Sequence, residues 1–213
     1  MIVVAAGRSV RFGGDKMLTL VGGLPLVAHA VAAVIDHVDL CILVCREDQI
    51  PVLSEIGMGV VLVPGGPSRT ASEMAGLSAI GGPAGLIGVH DGARPCVSSK
   101  LTETLFRTAD EVGGAIPVIE SSIPLVHKSD LRPVEGVGLA QTPQVFQGEA
   151  LVAAYIKAAR IEYEAQDTAE IAQKFSKLSI AAVPGEETNV KVTYPGDLEL
   201  VEARLATSRI EPR

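Results

Sequence analysis

Hydrophobic residues in this chain are concentrated in short, nearly continuous runs, and the stretches between them repeat apolar and polar residues at helical spacing. The runs predict strands over residues 1–6, 39–45, 59–63, 86–90, 115–119 and 178–183. The intervening stretches predict helices over residues 24–36, 48–56, 70–80, 98–111, 148–160 and 195–206. Apolar strands that alternate with helices are typical of a mostly parallel sheet covered by helices on both faces. We therefore expect an α/β fold with a Rossmann-like sheet, whose ligand crevice lies at the carboxyl ends of the strands.

The length of the chain and one break in this alternation define its organisation. At 213 residues the chain is long enough to bury a full core, and we expect a single domain over residues 1–213. Residues 120–140 interrupt the pattern with a polar run that contains Ser, Pro and Gly. This composition fits either a surface loop or a short projecting β-arm within the domain.

Composition and charge argue against nucleic acid and membrane as binding partners of this chain. The formal net charge is −7, and the chain has no Trp, three Tyr and four Phe residues. Nucleic-acid binding favours a basic face and aromatic stacking platforms, so we do not expect it. No apolar run is long enough to cross a membrane, and we expect a soluble cytoplasmic protein without a membrane partner. The three cysteines lack a paired metal-binding or redox spacing and are predicted to be structural thiols.

The first apolar run leads directly into a loop that contains glycine and three cationic side chains. The loop reads Ala5-Ala6-Gly7-Arg8-Ser9-Val10-Arg11, and after Phe12 it continues Gly13-Gly14-Asp15-Lys16. Backbone N–H groups and fixed cations at a strand-to-helix turn are suited to a phosphate chain, which predicts a nucleotide site. The loop lacks the Gly-Lys-Ser/Thr ending of a Walker loop and the glycine spacing of a dinucleotide fingerprint. The alternative interpretation is a tight turn with solvated charges.

Polar residues recur after several of the other predicted strands. The segments are Gly65-Gly66 with Arg69 and Ser72, Val89-His90-Asp91-Gly92-Ala93-Arg94-Pro95, Gln141-Thr142-Pro143-Gln144, and Asn189-Val190-Lys191-Val192-Thr193. Together with the opening loop and in this order, they resemble the 2-C-methyl-D-erythritol 4-phosphate cytidylyltransferase family. The resemblance implies a sugar-nucleotidyltransferase-like fold. It also implies transfer of CMP from CTP to 2-C-methyl-D-erythritol 4-phosphate, with release of pyrophosphate, in the non-mevalonate route to isoprenoid precursors.

The resemblance also implies roles for individual residues. The matched catalytic cations are Arg11 and Lys16, which would hold the triphosphate, and Lys191, which would act on the α-phosphate. The matched nucleotide-binding residues are Ala5, Ala6, Gly7, Gly65, Gly66, Arg69 and Ser72. Among these, the Gly65-Gly66 turn and Ser72 would recognise the cytosine ring. The matched acceptor-binding residues are Asp91, Arg94 and Thr142, with Thr142 reached across a homodimer interface.

This reaction explains which catalytic residues the chain does not need. A phosphate monoester is largely dianionic at neutral pH and is already a nucleophile, so neither a triad nor a general base is required. The barrier lies in assembling anions and in stabilising the charge that grows on phosphate oxygens, which calls for fixed cations and a divalent metal. Magnesium commonly binds substrate phosphates with one or two protein oxygens, and Asp91 is the candidate ligand.

The chain departs from the family pattern at several positions, and these departures keep other functions open. Val134 stands where the family has an arginine, and Arg132 is a nearby candidate to replace it. The second loop glycine is Ser9, and the aspartate after the glycine pair is Pro67. A ribitol-5-phosphate cytidylyltransferase shares most of the same motifs. A non-catalytic nucleotide-binding protein that has lost its acceptor site is a further alternative.

Overall fold

The apolar runs form strands in the structure, a computed structural model that describes residues 1–121 and 123–208. The strands are β1 (Ile2–Val4), β2 (Leu20–Val21), β3 (Leu24–Pro25), β4 (Ile42–Cys45), β5 (Val61–Pro64), β6 (Leu86–Asp91), β7 (Gly113–Glu120), β8 (Gly138–Ala140), β9 (Gln144–Gln147) and β10 (Ser179–Pro184). All except the β2–β3 hairpin belong to one eight-stranded sheet, in the order β10-β7-β9-β6-β1-β4-β5, with β8 beside β7.

The sheet is mostly parallel, as predicted. Strand β1 pairs in parallel with β4 and β6, in registers that set Val3 beside Leu43 and His90. Strand β5 pairs in parallel with β4, and β10 with β7. Strand β9 is antiparallel to β6 and β7, so its amino end lies at the carboxyl end of β6. This reversal brings Thr142, just before β9, next to Asp91.

Helices cover both faces of the sheet, which confirms the predicted fold class. They are α1 (Leu26–Ala32), α2 (Ile50–Ile56), α3 (Arg69–Ala79), α4 (Ser99–Val112), α5 (Gly148–Ala159), α6 (Thr168–Phe175) and α7 (Asp197–Ser208). Successive strand residues point to opposite faces. In β4, Leu43 belongs to the core with α1, α2 and α4, and Val44 to the core with α3, α5 and α6. None of the described helices is long and apolar enough to span a membrane.

Side-chain caps fix where three of the helices begin. The hydroxyl of Ser68 accepts a hydrogen bond from the N–H of Ala71 at 3.1 Å, and this cap starts α3. Ser98 caps α4 in the same way, and the Asp167 carboxylate caps α6 by accepting from the N–H of Glu170 at 2.9 Å. Each cap satisfies a backbone donor that has no partner within the helix. The Ser68 cap also sets the position of the first turn of α3.

Each predicted strand and helix overlaps an observed one, but the sequence pattern missed several short elements. The predicted helix over 24–36 begins with strand β3 and ends as a 3-10 turn over Ile35–His37. The β2–β3 hairpin and strands β8 and β9 were not predicted, because strands this short carry little periodicity of their own. Helix α6 was not predicted either.

Residues 123–137 form a short β-arm between β7 and β8. A single antiparallel bridge pairs Val126 with Pro133, and the N–H of Val134 donates to the carbonyl oxygen of Leu125 at 2.8 Å. The side chains of Ile123 and Leu131 are each 71% exposed. Of the two forms that the composition allowed, this pairing favours the β-arm, which has apolar side chains on its surface.

Candidate active site

The carboxyl ends of β1, β4, β5 and β6 border an open cavity of about 480 Å³. The loops after these strands form its wall, because parallel strands end at the same edge of the sheet. Of the predicted site residues, the wall contains Ala6, Gly7, Lys16, Gly65, Gly66, Arg69, Ser72, Asp91 and Lys191. The four predicted residues outside the wall are Ala5, Arg11, Arg94 and Thr142.

The loop between β1 and β2 brings cations to the cavity. Arg8 and Lys16 both line it, and Lys16 is 9% exposed. The Nζ of Lys16 donates a hydrogen bond to the carbonyl oxygen of Val192 at 2.7 Å, which ties the loop to the segment that carries Lys191. Burial, followed by the charge of Lys191, lowers the pKa of Lys16 below its usual value. Arg11 is exposed outside the wall, but its charge lowers the same pKa.

A polar cluster after β4, which the sequence pattern did not single out, fixes the same loop. The carboxylate of Asp15 accepts hydrogen bonds from Arg46 Nη2 at 2.7 Å and from Gln49 Nε2 at 2.8 Å. Arg46 also pairs with Asp48, and it lines the cavity. The available signal in the sequence is an arginine directly after a predicted strand, at the edge where a crevice is expected.

The turn after β5 has no room for side chains. A Cβ on Gly65 would lie 2.2 Å from the Cβ of Ala6, and a Cβ on Gly66 would lie 2.5 Å from the nearest α3 side chain. The buried hydroxyl of Ser72 accepts from the N–H of Gly66 at 3.2 Å and donates to the carbonyl oxygen of Ser68 at 2.8 Å. The backbone of this turn is therefore held at the cavity, and because the N–H groups of Gly65 and Gly66 already bond within the protein, its carbonyl oxygens are the groups that can meet a ligand.

Asp91, the last residue of β6, is surrounded by three cations. Its Oδ1 lies 2.8 Å from Arg69 Nη1, and its Oδ2 lies 2.7 Å from Lys191 Nζ and 3.6 Å from Arg94 Nε. Burial by itself would raise the pKa of the Asp91 carboxyl, but these positive charges outweigh burial and hold the pKa well below its usual range. Asp91 is therefore a fixed negative charge that positions the Lys191 ammonium.

Thr142 and Arg94, two of the predicted acceptor-binding residues, contact Asp91 and the segment that carries Lys191 on the side away from the cavity. The hydroxyl of Thr142, which is 4% exposed, accepts a hydrogen bond from the N–H of Asp91 at 2.9 Å. Arg94 Nη1 donates to the carbonyl oxygen of Asn189 at 2.6 Å, and Asn189 Nδ2 donates to the carbonyl oxygen of Thr142 at 2.8 Å. Arg94 and Thr142 thus hold the segments that carry Asp91 and Lys191, and in this chain neither faces the cavity.

The cavity wall does not provide a preformed metal site. Within residues 1–121 and 123–208, no group of three or more His, Cys, Asp or Glu side chains is arranged to hold a metal ion. Both oxygens of Asp91, the predicted ligand, are already paired with Arg69 and Lys191. These charges would repel a divalent ion that approached the same carboxylate. The side chains present therefore do not fit direct coordination of magnesium by Asp91.

Comparison with known proteins assigns the chain to a family. A sequence model described as IspD, 2-C-methyl-D-erythritol 4-phosphate cytidylyltransferase, matches residues 1–207. The chain belongs to this cytidylyltransferase family. A cytidylyltransferase of that name from Cereibacter sphaeroides (strain ATCC 17023) is 38% identical, and the match covers 96% of each chain. The cytidylyltransferase from Roseobacter denitrificans is 32% identical, over 96% of this chain and 95% of the relative.

Solved structures and bifunctional relatives agree with this cytidylyltransferase assignment. The crystal structure of the cytidylyltransferase from Thermus thermophilus superposes with a TM-score of 0.83 at 32% identity, over 97% of this chain and 98% of that chain. The bifunctional enzyme IspD/IspF from Bradyrhizobium sp. (strain BTAi1) is 34% identical, over 96% of this chain but 56% of that protein. The chain therefore spans about half the length of the bifunctional relatives and nearly all of the single-function cytidylyltransferases named here.

The arm carries the clearest departure from the cytidylyltransferase pattern. Val134 lies on the arm, where its N–H bonds to the carbonyl oxygen of Leu125. The Arg132 side chain is 75% exposed and pairs with Asp130 on the same turn. Neither Val134 nor Arg132 lines the cavity of its own chain. Arg132 therefore does not replace the expected arginine within a single chain.

Proposed function

We propose that this chain transfers CMP from CTP to 2-C-methyl-D-erythritol 4-phosphate, which forms 4-diphosphocytidyl-2-C-methyl-D-erythritol and releases pyrophosphate. The observation that carries the proposal is one cavity that gathers Lys16, Lys191 and Asp91 with the Gly65-Gly66 turn. Membership in the cytidylyltransferase family supports the two substrates. The product belongs to the non-mevalonate route to isoprenoid precursors.

The nucleotide would occupy two parts of the cavity. A backbone carbonyl oxygen of the Gly65-Gly66 turn would accept a hydrogen bond from the amino group of the cytosine, since the N–H groups of both residues already bond within the protein. The triphosphate would lie along the loop after β1, where backbone N–H groups near Gly7 and the side chains of Arg8 and Lys16 supply positive charge. Arg8 is a cavity cation that the resemblance did not assign.

The chemical step needs positioned cations and no general base. An oxygen of the acceptor phosphate bonds to the α-phosphorus as the bond between that phosphorus and the pyrophosphate oxygen breaks. The pyrophosphate leaves with the electron pair, and no proton has to be removed from the attacking oxygen. Negative charge grows on the leaving group and on the α-phosphate oxygens, where Lys16 and Lys191 would stabilise it. The 2.7 Å ion pair with Asp91 sets the Lys191 ammonium in place before the substrates bind.

Magnesium would enter with the substrate. Mg²⁺ keeps several waters and binds substrate phosphates readily, whereas Asp91 is already paired with Arg69 and Lys191. We propose that the ion binds the phosphates of CTP, where it would neutralise part of their charge. The roles given to Lys16 and Lys191 do not depend on a metal ligand in the protein.

A second copy of the chain would complete the acceptor side, so we propose a homodimer. Arg94 and Thr142 face inward in the single chain and leave the acceptor phosphate with few direct ligands. The arm exposes Ile123 and Leu131, and exposed apolar side chains on a projecting segment are typical of a surface that packs against a partner. We also propose that residues 1–213 act as one nucleotidyltransferase domain, because strands from both ends of the chain share one sheet.

Gly65→Ala is expected to weaken CTP binding more than the chemical step. The added methyl group would overlap Ala6 and push the turn away from the β1 loop, while the cations stay in place. We expect KM for CTP to rise about tenfold and kcat to change much less, as for a lost ground-state contact. Gly82→Ala is the matched control, because a methyl group there meets nothing within 4 Å. An unchanged KM in Gly65→Ala would contradict contact between this turn and the base.

The proposed function is tested by pyrophosphate release from CTP and magnesium with purified protein. Two parallel reactions supply 2-C-methyl-D-erythritol 4-phosphate and ribitol 5-phosphate. We expect release with the methylerythritol phosphate and none with the ribitol phosphate. Release with ribitol phosphate alone would show that the chain is a ribitol-5-phosphate cytidylyltransferase instead. If no pyrophosphate is released with either acceptor although the protein binds CTP, the result would favour a nucleotide-binding protein without transferase activity.

A further inference from the structure

A buried carboxylate lies one helical turn behind Arg69 and has no role in the mechanism above. Glu73 is 1% exposed, in the middle of α3. Its Oε1 lies 2.8 Å from Arg69 Nε and accepts a hydrogen bond from Thr168 Oγ1 at 3.2 Å. Its Oε2 accepts a hydrogen bond from the hydroxyl of Tyr155. One guanidinium in an ion pair and two hydroxyl donors, from three different helices, therefore converge on one carboxylate.

Arg69 joins this carboxylate to the cavity. Its Nε faces Glu73, and its Nη1 lies 2.8 Å from Asp91 Oδ1, so one guanidinium connects the two acids. The other oxygen of Asp91 pairs with Lys191. A continuous series of polar contacts therefore runs from Tyr155, on the far side of α3, to the Lys191 ammonium at the cavity wall.

The energetics do not favour a purely packing role for Glu73. An ionised carboxylate loses most of its hydration in such a site, and well-packed apolar residues often stabilise a core as much as a buried ion pair does. Burial raises the pKa of the Glu73 carboxyl, and Arg69 and Tyr155 act against that rise. The arginine guanidinium is planar, so the ion pair between its Nε side and Glu73 restrains the direction of Nη1.

We propose that Glu73 is a positioning residue for the transferase reaction. It holds Arg69 so that Nη1 contacts Asp91. The orientation of the Asp91 carboxylate in turn positions the Lys191 ammonium. The inference rests on the proposed function and adds a residue remote from the cavity wall. The helices α5 and α6 take part, because Tyr155 and Thr168 hold Glu73 from behind. A change at any member of the series is therefore expected to affect the rate of the chemical step.

Glu73→Gln tests the proposal, because it keeps the size of the side chain and removes its charge. We expect kcat to fall about tenfold, KM for CTP to change less than twofold, and thermal unfolding to remain cooperative. Tyr155→Phe removes one hydrogen bond from the same carboxylate and is expected to lower kcat about threefold. Glu149→Gln, on an exposed glutamate of α5, makes the same chemical change outside the series and is expected to keep wild-type kinetics.

A double-mutant cycle separates positioning from a general loss of stability. If Glu73 acts through Arg69, then Glu73→Gln in an Arg69→Gln background is expected to change kcat/KM by less than twofold. Multiplicative losses in the double variant would overturn the proposal. So would wild-type kcat in folded Glu73→Gln.

A spectroscopic measurement keeps the test independent of turnover. In protein labelled with ¹⁵N-arginine, the Nε–H signal of Arg69 is assigned by its absence in Arg69→Gln. We expect ¹⁵Nε relaxation to show a restrained Arg69 side chain in the wild type and greater motion in Glu73→Gln, because the ion pair at 2.8 Å is lost. If the wild type releases no pyrophosphate, the proposed function fails, and the relaxation data still decide whether Glu73 holds Arg69. Equal side-chain motion in wild type and Glu73→Gln would show that it does not.

Discussion

Replacing Lys191 by alanine should lower kcat by a factor of about 10²–10³, the usual effect of losing one donor that stabilises charge in a transition state. The Lys191 ammonium lies 2.7 Å from Asp91 Oδ2, and the Lys191 side chain is 38% exposed at the cavity wall. It is therefore placed by the protein before a substrate arrives and remains accessible to an α-phosphate. Asp91 keeps Arg69 and Arg94 as partners in the variant, so we expect the fold to persist.

The measurement is steady-state pyrophosphate release, with both substrates varied in turn. A loss confined to kcat would agree with a role in the transition state, and a rise in KM alone would point to ground-state binding. Lys177→Ala removes an exposed lysine just before β10 and serves as the matched control. Turnover within a factor of three of wild type in folded Lys191→Ala would remove this residue from the chemical step.

Lys16→Ala is expected to be as damaging, for two combined reasons. The variant loses a cation at the cavity, and it loses the 2.7 Å hydrogen bond from Lys16 Nζ to the carbonyl oxygen of Val192. That bond joins the phosphate loop to the segment with Lys191, so both segments are expected to shift. We expect kcat to fall by about 10²–10³ and, unlike in Lys191→Ala, KM for CTP to rise as well.

Kinetics and direct binding of CTP together distinguish these two contributions. Isothermal titration with CTP and magnesium measures the lost binding, and pyrophosphate release measures the lost rate. Lys100→Ala, on the exposed side of α4, removes an equal charge from a remote position and is the control. If Lys16→Ala binds CTP as wild type does and turns over normally, the loop after β1 is not the triphosphate site.

Two details of the site show why part of it follows from sequence. The Gly65-Gly66 turn is predictable, because a glycine pair directly after an apolar strand marks a position where backbone must approach closely. Lys16 is predictable for a similar reason, since cations in a glycine-containing loop after β1 indicate a phosphate site. Both signals are local in the chain, and both residues line the cavity.

Other members of the site depend on contacts between distant segments. Asp15 meets Arg46 only because β1 and β4 are neighbours in the sheet, which brings the loop of one beside the end of the other. Glu73 has no sequence signal, because a glutamate within a helix is usually solvated, and here α5 and α6 cover it. Residue type and spacing alone did not identify either contact.

Sequence alone predicts six of the strands and six of the helices in their order, the parallel character of most of the sheet and the edge at which the cavity lies. These properties follow from hydrophobic periodicity and from residues next to each other in the chain. By contrast, the inward direction of Arg94 and Thr142 and the three cations around Asp91 depend on contacts between segments that are distant in the chain. Strand β9 runs opposite to β6 and so sets the Thr142 hydroxyl against the N–H of Asp91, whereas Arg94 donates to the carbonyl oxygen of Asn189 in the loop after β10, because the two loops meet in the folded chain.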